Sequence, residues 1–118
     1  MQILTMKNKT ILKPWGKYVI LEKTSDYWVK KLFIRQGESL SLQSHKQRRE
    51  FWVVLSGAVQ AIKGKAKCKL GIGEFLKINK KEKHRITGLS DSWILEIALD
   101  KPRERDIIRF KDQYGRIK

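Results

Sequence analysis

The sequence predicts an all-β fold, and three observations carry that prediction. Apolar and polar residues alternate with a period of two in run after run, and the runs are rich in β-branched and aromatic residues. Turn signals separate them: Gln36-Gly37, Ser56-Gly57, Lys63-Gly64, Gly71-Ile72-Gly73 and Gly88-Leu89-Ser90-Asp91. No segment of eleven or more residues keeps apolar positions at helical spacing, apart from a weak trace near "RERDIIRF". Short, regularly spaced strands in 118 residues predict one domain, residues 1–118, built as a sandwich, jelly roll or barrel.

The runs follow in order. "YVILE" (18–22) and "YWVKKLFIR" (27–35) open the series, then "FWVVL" (51–55) and "AVQAIK" (58–63). A short run surrounds Cys68, and "EFLKI" (74–78), "HRIT" (84–87) and "WILEIAL" (93–99) complete it. Trp15 in "KPWGKY" is expected to anchor the packing at one end, with Trp52 and Trp93 as further core residues.

A hydrophobic fraction of 41% and four tryptophans indicate a folded chain. Cys68 is the single cysteine, so no disulfide can form within the chain, and a reducing cytosol is the expected compartment. The N-terminal stretch "MQILTMKNKTILKPWGKY" lacks a continuous apolar segment, and nowhere do eighteen apolar residues run together. Neither a signal peptide nor a membrane span is predicted.

The net charge of +15 admits two readings, an anionic partner or a solvated lysine-rich surface. The basic residues are spread over "KGKAKCKLG", "KINKKEKHR" and "KPRERD", and no RNA-binding, zinc-finger or helix-turn-helix signature accompanies them. The surface reading is favoured, and no specific nucleic-acid partner is expected.

The stretch "GESLSLQSHKQRREFWVVLSG" (37–57) raises a sharper question, because it holds one of the only two histidines. On a strand, Ser39, Ser41, Gln43 and His45 would share one face and Leu40 and Leu42 the other. A polar face turned inward needs partners, since each unpaired buried polar group costs roughly 1–3 kcal/mol. A bound cation serves several such groups at once. Glu50 opens the next strand and His84 a later one, so two chain reversals could gather all four groups. Two imidazoles and two oxygens suit zinc, iron, manganese, cobalt or nickel.

These residues carry a family resemblance. Gly37, Gln43, His45, Glu50 and Gly57 fit the spacing of the first cupin motif, with glutamine where most cupins have their first histidine. "GEFLKINKKEKH" is similar to the second motif, ending on His84. Together with "KPWGKY" (13–18) and "DIIRFKDQYGR" (106–116), the chain resembles the type II phosphomannose isomerases. That domain usually forms the C-terminal part of a bifunctional mannose-1-phosphate guanylyltransferase. No nucleotidyltransferase segment is present in the sequence, so guanylyl transfer is not expected of it. Lys46, Gln47 and Phe51 occupy places where the family usually has histidines. Asn79 and Lys81 replace the proline and glycine of the second motif, which implies a reshaped loop.

The resemblance implies a cupin-type jelly-roll barrel. It also implies a divalent metal, zinc first, held by Gln43, His45, Glu50 and His84. The expected activity is interconversion of mannose 6-phosphate and fructose 6-phosphate, with Arg48 as the catalytic arginine. Lys30 shares parity with Trp28, Leu32 and Ile34, so it can point inward, and with Ser41 it is the candidate phosphate clamp. No general base is evident. A homodimer is expected, with "DQYGR" latching along the barrel or between subunits. The alternatives are a cupin that binds a sugar phosphate or nucleotide sugar without isomerising it, and a basic nucleic-acid-binding barrel.

Overall fold

The computed structural model describes residues 8–116, so the first part of the N-terminal stretch read above lies outside it. Eleven strands are arranged in two antiparallel sheets. They are β1 (Lys9–Lys13), β2 (Gly16–Lys23), β3 (Trp28–Ile34), β4 (Leu42–Ser44), β5 (Glu50–Ser56), β6 (Val59–Lys63), β7 (Ala66–Leu70), β8 (Phe75–Ile78), β9 (His84–Gly88), β10 (Ser92–Ala98) and β11 (Ile108–Lys111). The larger sheet runs β1-β2-β3-β10-β5-β8 and the smaller β11-β4-β9-β6-β7. The weak helical trace near "RERDIIRF" is overturned, because Ile108–Lys111 is an edge strand paired with β4. No helix long and apolar enough to cross a membrane occurs among the described residues.

Alternation sets the inner faces. Trp28, Lys30, Leu32 and Ile34 on β3 point inward, as do Glu50, Trp52 and Val54 on β5 and Ser92, Ile94, Glu96 and Ala98 on β10. Trp15, Tyr18, Leu32, Ile34, Trp52, Val54, Ile78, Ile86 and Ile94 form the core between the sheets, with Val59 and Ala61 from β6. Burying a side chain of this size contributes roughly 1.5–3 kcal/mol each. Trp93 is a correction. The parity of β10 turns it outward, half-buried against Phe33 with ring centroids 5.1 Å apart. Lys17 and Lys31 lie over these rings, their Nζ atoms 5.7 and 4.8 Å from the Trp93 centroid.

The stretch from Gln36 to Ser41 makes only isolated bridges, Gln36 to Gly88 and Ser39 to Thr87. Clean alternation therefore fails there: Ser39 hydrogen-bonds Thr87 at 2.6 Å, and Leu40 packs against the core instead of facing away. Gly16 is required where the chain turns from β1 into β2, since a Cβ would sit 1.9 Å from the Phe33 carbonyl oxygen. Lys81 adopts φ 66°, the left-handed conformation that a glycine would take, and its N–H donates to the His45 carbonyl at 2.6 Å. The backbone at Lys81 thus keeps the turn, where the lost glycine implied a reshaped loop.

Candidate functional site

The registers of the two sheets bring the chemistry together. In the smaller sheet, Arg109 pairs with Gln43 and Gln43 with His84, so the three share one inward row. In the larger sheet, Glu96 sits between Lys30 and Trp52, and Ala98 between Trp28 and Glu50. Side chains of the two rows meet between the sheets. His45 follows β4, and its position is fixed by Asp106 just before β11. The Asp106 carboxylate accepts the Lys46 and Gln47 N–H groups at 2.8 Å each, and its carbonyl accepts from His45 Nδ1 at 2.5 Å.

His45, Glu50 and His84 each offer a ligand atom within 4.8 Å of the others, and all three are buried. His45 Nε2 lies 3.3 Å from Glu50 Oε2, and His84 Nε2 lies 3.5 Å from Glu50 Oε1. Both rings are aimed the same way, because each uses Nδ1 on a backbone carbonyl, His45 on Asp106 and His84 on Glu82 at 2.8 Å. Such bonds fix the tautomer and leave Nε2 as the unprotonated nitrogen, the usual support for a metal-ligating histidine. Trp52 sits edge-on to His84 and donates Nε1–H to Glu50 Oε1 at 3.1 Å.

The electrostatics suit a cation. Burial lowers His45 to about 4 against the pull of Glu50, so its imidazole is neutral at pH 7. Burial alone would raise the Glu50 carboxyl, but Arg48, His84 and His45 outweigh it and bring it down to about 2. His84 Nε2 is fully enclosed and has no hydrogen-bond partner. An orphaned nitrogen facing a buried carboxylate is unfavourable unless a positive centre lies between them. The triad therefore fits a divalent metal, and Gln43 is the register partner of His84.

Arg48 stands at the edge of this group. Its Nε and Nη2 both lie 2.8 Å from Glu50 Oε2, and Nη2 is 3.1 Å from His45 Nε2. The guanidinium also lies 5.7 Å from the Trp28 ring centroid. Arg48 lines a cleft of about 550 Å³, counting its solvent-open mouth, together with Lys30, Ser41, Gln43 and Glu96. His45, Glu50 and His84 form an enclosed group, and Lys30, Ser41, Gln43 and Arg48 line the cleft, with Arg48 in contact with both. Lys30 is packed between aromatic rings, 4.5 Å from the Tyr18 centroid and 4.6 Å from that of Trp28, and 3.7 Å from the Glu104 carboxylate.

Sequence reasoning missed Glu96 and Asp106. Burial raises the Glu96 carboxyl to about 7, helped by the negative charge of Glu50 and opposed by Lys30 and Arg48. A buried carboxyl balanced near neutrality in a cleft is suited to moving protons. Its signal in the sequence was a glutamate inside "WILEIAL", which reads as an outward polar position until the register of β10 is known.

With the geometry in place, the comparisons decide the family. The family model described as mannose-6-phosphate isomerase C-terminal matches residues 2–112. The chain belongs to that family. Among curated relatives of this family member, mannose-1-phosphate guanylyltransferase ManC of Salmonella typhimurium is 33% identical over 114 residues, covering 93% of this chain and 24% of the relative. The xanthan biosynthesis protein XanB of Xanthomonas campestris is 30% identical over 112 residues, covering 92% and 24%. The chain thus spans about a quarter of the length of the relatives it matches.

Solved structures agree on the fold. CapF of Staphylococcus aureus, a capsular polysaccharide assembling protein, superposes with a TM-score of 0.78 at 15% identity, covering 92% of this chain and 35% of that one. Oxalate decarboxylase of Bacillus subtilis gives 0.78 at 14% identity, covering 87% and 30%. The fold of this family member is the cupin jelly roll.

Proposed function

We propose that this cupin interconverts mannose 6-phosphate and fructose 6-phosphate, using a divalent metal at His45, Glu50, His84 and Gln43. The observation that supports it best is that Arg48, hydrogen-bonded to the enclosed triad, and a near-neutral buried carboxyl, Glu96, line one cleft. A metal held by these residues, zinc first among the candidates, would supply positive charge to a developing enediolate oxygen.

The remaining steps belong to side chains. The Glu96 carboxylate takes the proton from C2 of the open-chain aldose. The C2–H electron pair forms the C1=C2 bond, and the aldehyde pair moves onto O1. Arg48 offsets that charge with its guanidinium. Glu96 then returns its proton to C1 while the O2–H proton passes to O1, which leaves the ketose and consumes no co-reactant. Lys30 and Ser41, the phosphate clamp expected from the sequence, hold the substrate along the cleft wall; for the phosphate itself Lys30 is the weaker choice, because it already lies 3.7 Å from the Glu104 carboxylate. The proposal extends to a homodimer acting in a reducing cytosol, with no specific nucleic-acid partner.

A second reading is a cupin that binds a sugar phosphate or nucleotide sugar without isomerising it. The engagement of Arg48 with Glu50 and His45 favours this one. A neutral imidazole nitrogen has one lone pair, so His45 Nε2 serves either Arg48 or a metal.

Proton NMR of mannose 6-phosphate in D2O separates the two readings. Isomerisation with deuterium entering at C2 is the expected result, and Glu96→Gln should abolish both while retaining metal. A metal-loaded wild type that shows neither isomerisation nor exchange would leave the binding reading in place.

A further inference from the structure

The cleft has a second end that the catalytic proposal does not use. Lys13 closes β1, Arg109 lies in the middle of β11, and Arg116 comes from the C-terminal segment, yet all three line the same cleft. Their charges are unevenly answered. Arg116 is held by the Asp112 carboxylate through Nε and Nη2, at 2.9 and 3.1 Å. Among the described residues neither Lys13 nor Arg109 makes an ion pair. Arg109 Nε is enclosed and has no hydrogen-bond partner. A buried guanidinium nitrogen without an acceptor is expensive, since hydrogen bonds to charged groups contribute more than neutral ones and are costly to leave unmade.

The cations also act on one another. Lys13 is lowered by burial and then by the fields of Arg116 and Arg109, with Lys30 adding to them and Glu104 opposing. Like charges gathered from three separate parts of the chain, around an unanswered donor, form a positive field that lacks its anion.

We propose that Lys13, Arg109 and Arg116 form a phosphate-binding subsite at the outer end of the cleft, which takes the phosphate group of a small phosphomonoester. Arg109 and Gln43 are register partners, so the subsite is joined to the metal end by one row of side chains. A ligand whose phosphate rests on Arg109 extends its other end toward Gln43, Arg48 and Glu96 along the cleft. A hexose 6-phosphate has this polarity, with the phosphate at one terminus and the reacting C1–C2 unit at the other. The choice of a sugar phosphate rests on the isomerase reading; the anion site rests on the cluster alone.

Calorimetric titration of metal-loaded protein with mannose 6-phosphate, inorganic phosphate and mannose tests this. Mannose 6-phosphate should bind, inorganic phosphate more weakly, and mannose without its phosphate weakest. Arg109→Gln and Lys13→Gln should each weaken mannose 6-phosphate roughly tenfold to a hundredfold and leave metal content unchanged. Arg109→Lys should lose part of that, because it keeps charge and gives up the planar fork. The two positions lie on different edge strands, so a folding defect in one variant leaves the other to decide. Wild-type affinity in both glutamine variants, or mannose binding as well as its phosphate, overturns the subsite. Phosphate-dependent binding by a wild type that never isomerises keeps the subsite and removes the isomerase; isomerisation with KM unchanged in both variants does the reverse.

Discussion

Behind the inner end of the cleft, on the far side of Arg48, the group of His45, Glu50 and His84 is almost sealed from water, and nearly every polar atom is answered within the protein. At the outer end, Lys13, Arg109 and Arg116 stay half-buried, and two of the three cations have no acid partner among the described residues. The inner end is organised by a carboxylate that holds one cation, Arg48, beside an unanswered imidazole nitrogen, the outer by cations without an acid partner. One cleft therefore carries two complementary demands, and a metal alone meets only the first. Selectivity for a charged ligand resides where the internal pairing is incomplete.

The contrast predicts that the two ends fail separately. His45→Ala or His84→Ala should lower metal affinity by more than about 100-fold, the upper end of what even an outer partner of a metal ligand costs. Chelator competition would measure it, with Lys13→Gln as the comparison that keeps full affinity. Equal losses from both ends would dissolve the distinction. Arg48 bridges them, and its substitution separates chemistry from binding. Arg48→Lys should reduce kcat and kcat/KM together by about 10²–10³, as loss of a preorganised charge-stabilising donor does. A rise in KM at constant kcat would move Arg48 to the ground-state side of the ledger.

The smallest effect lies behind the inner end. Lys81 holds a left-handed φ of 66° while donating to the His45 carbonyl. Lys81→Gly should relieve that conformation and stabilise the fold by about 1 kcal/mol, after the glycine's greater unfolded-state entropy is subtracted. Urea unfolding would read it as a higher midpoint at constant slope. A lower midpoint would show that the lysine side chain contributes more than its backbone costs.

The same two ends differ in how far the sequence revealed them. Gln43, His45 and Glu50 lie within one hairpin-length stretch, so their spacing carried the site before any fold was known. The outer end is assembled from residues 13 and 109, on strands that alternation does not reveal, and from residue 116 in the C-terminal segment beyond them. "KTILK" and "IRFK" are edge strands with mostly exposed side chains, and a strand without a buried face leaves little period-two signal. Glu96 was hidden for a related reason. In "SWILEIA" the outward set, Trp93, Leu95 and Ile97, is more hydrophobic than the inward set, which contains Ser92 and Glu96. Hydropathy thus pointed the strand the wrong way, and only pairing with β3 and β5 fixes which face looks inward.

That inversion on β10 also bears on the surplus of positive charge. Trp93 and Phe33 would form an oily spot on the outside of the larger sheet, but Lys17 and Lys31 reach across their rings. A lysine has a four-carbon stem that covers apolar surface while its ammonium remains in water, a service that a compact acidic residue does not give. Part of the +15 is thereby an upholstery for misplaced aromatics, written in the one residue type long enough to drape over them. Acylating those lysines would leave the stems and remove the charge that keeps their ends in water, and the cost would appear as stickiness between copies of the protein, far from the cleft and with its chemistry intact.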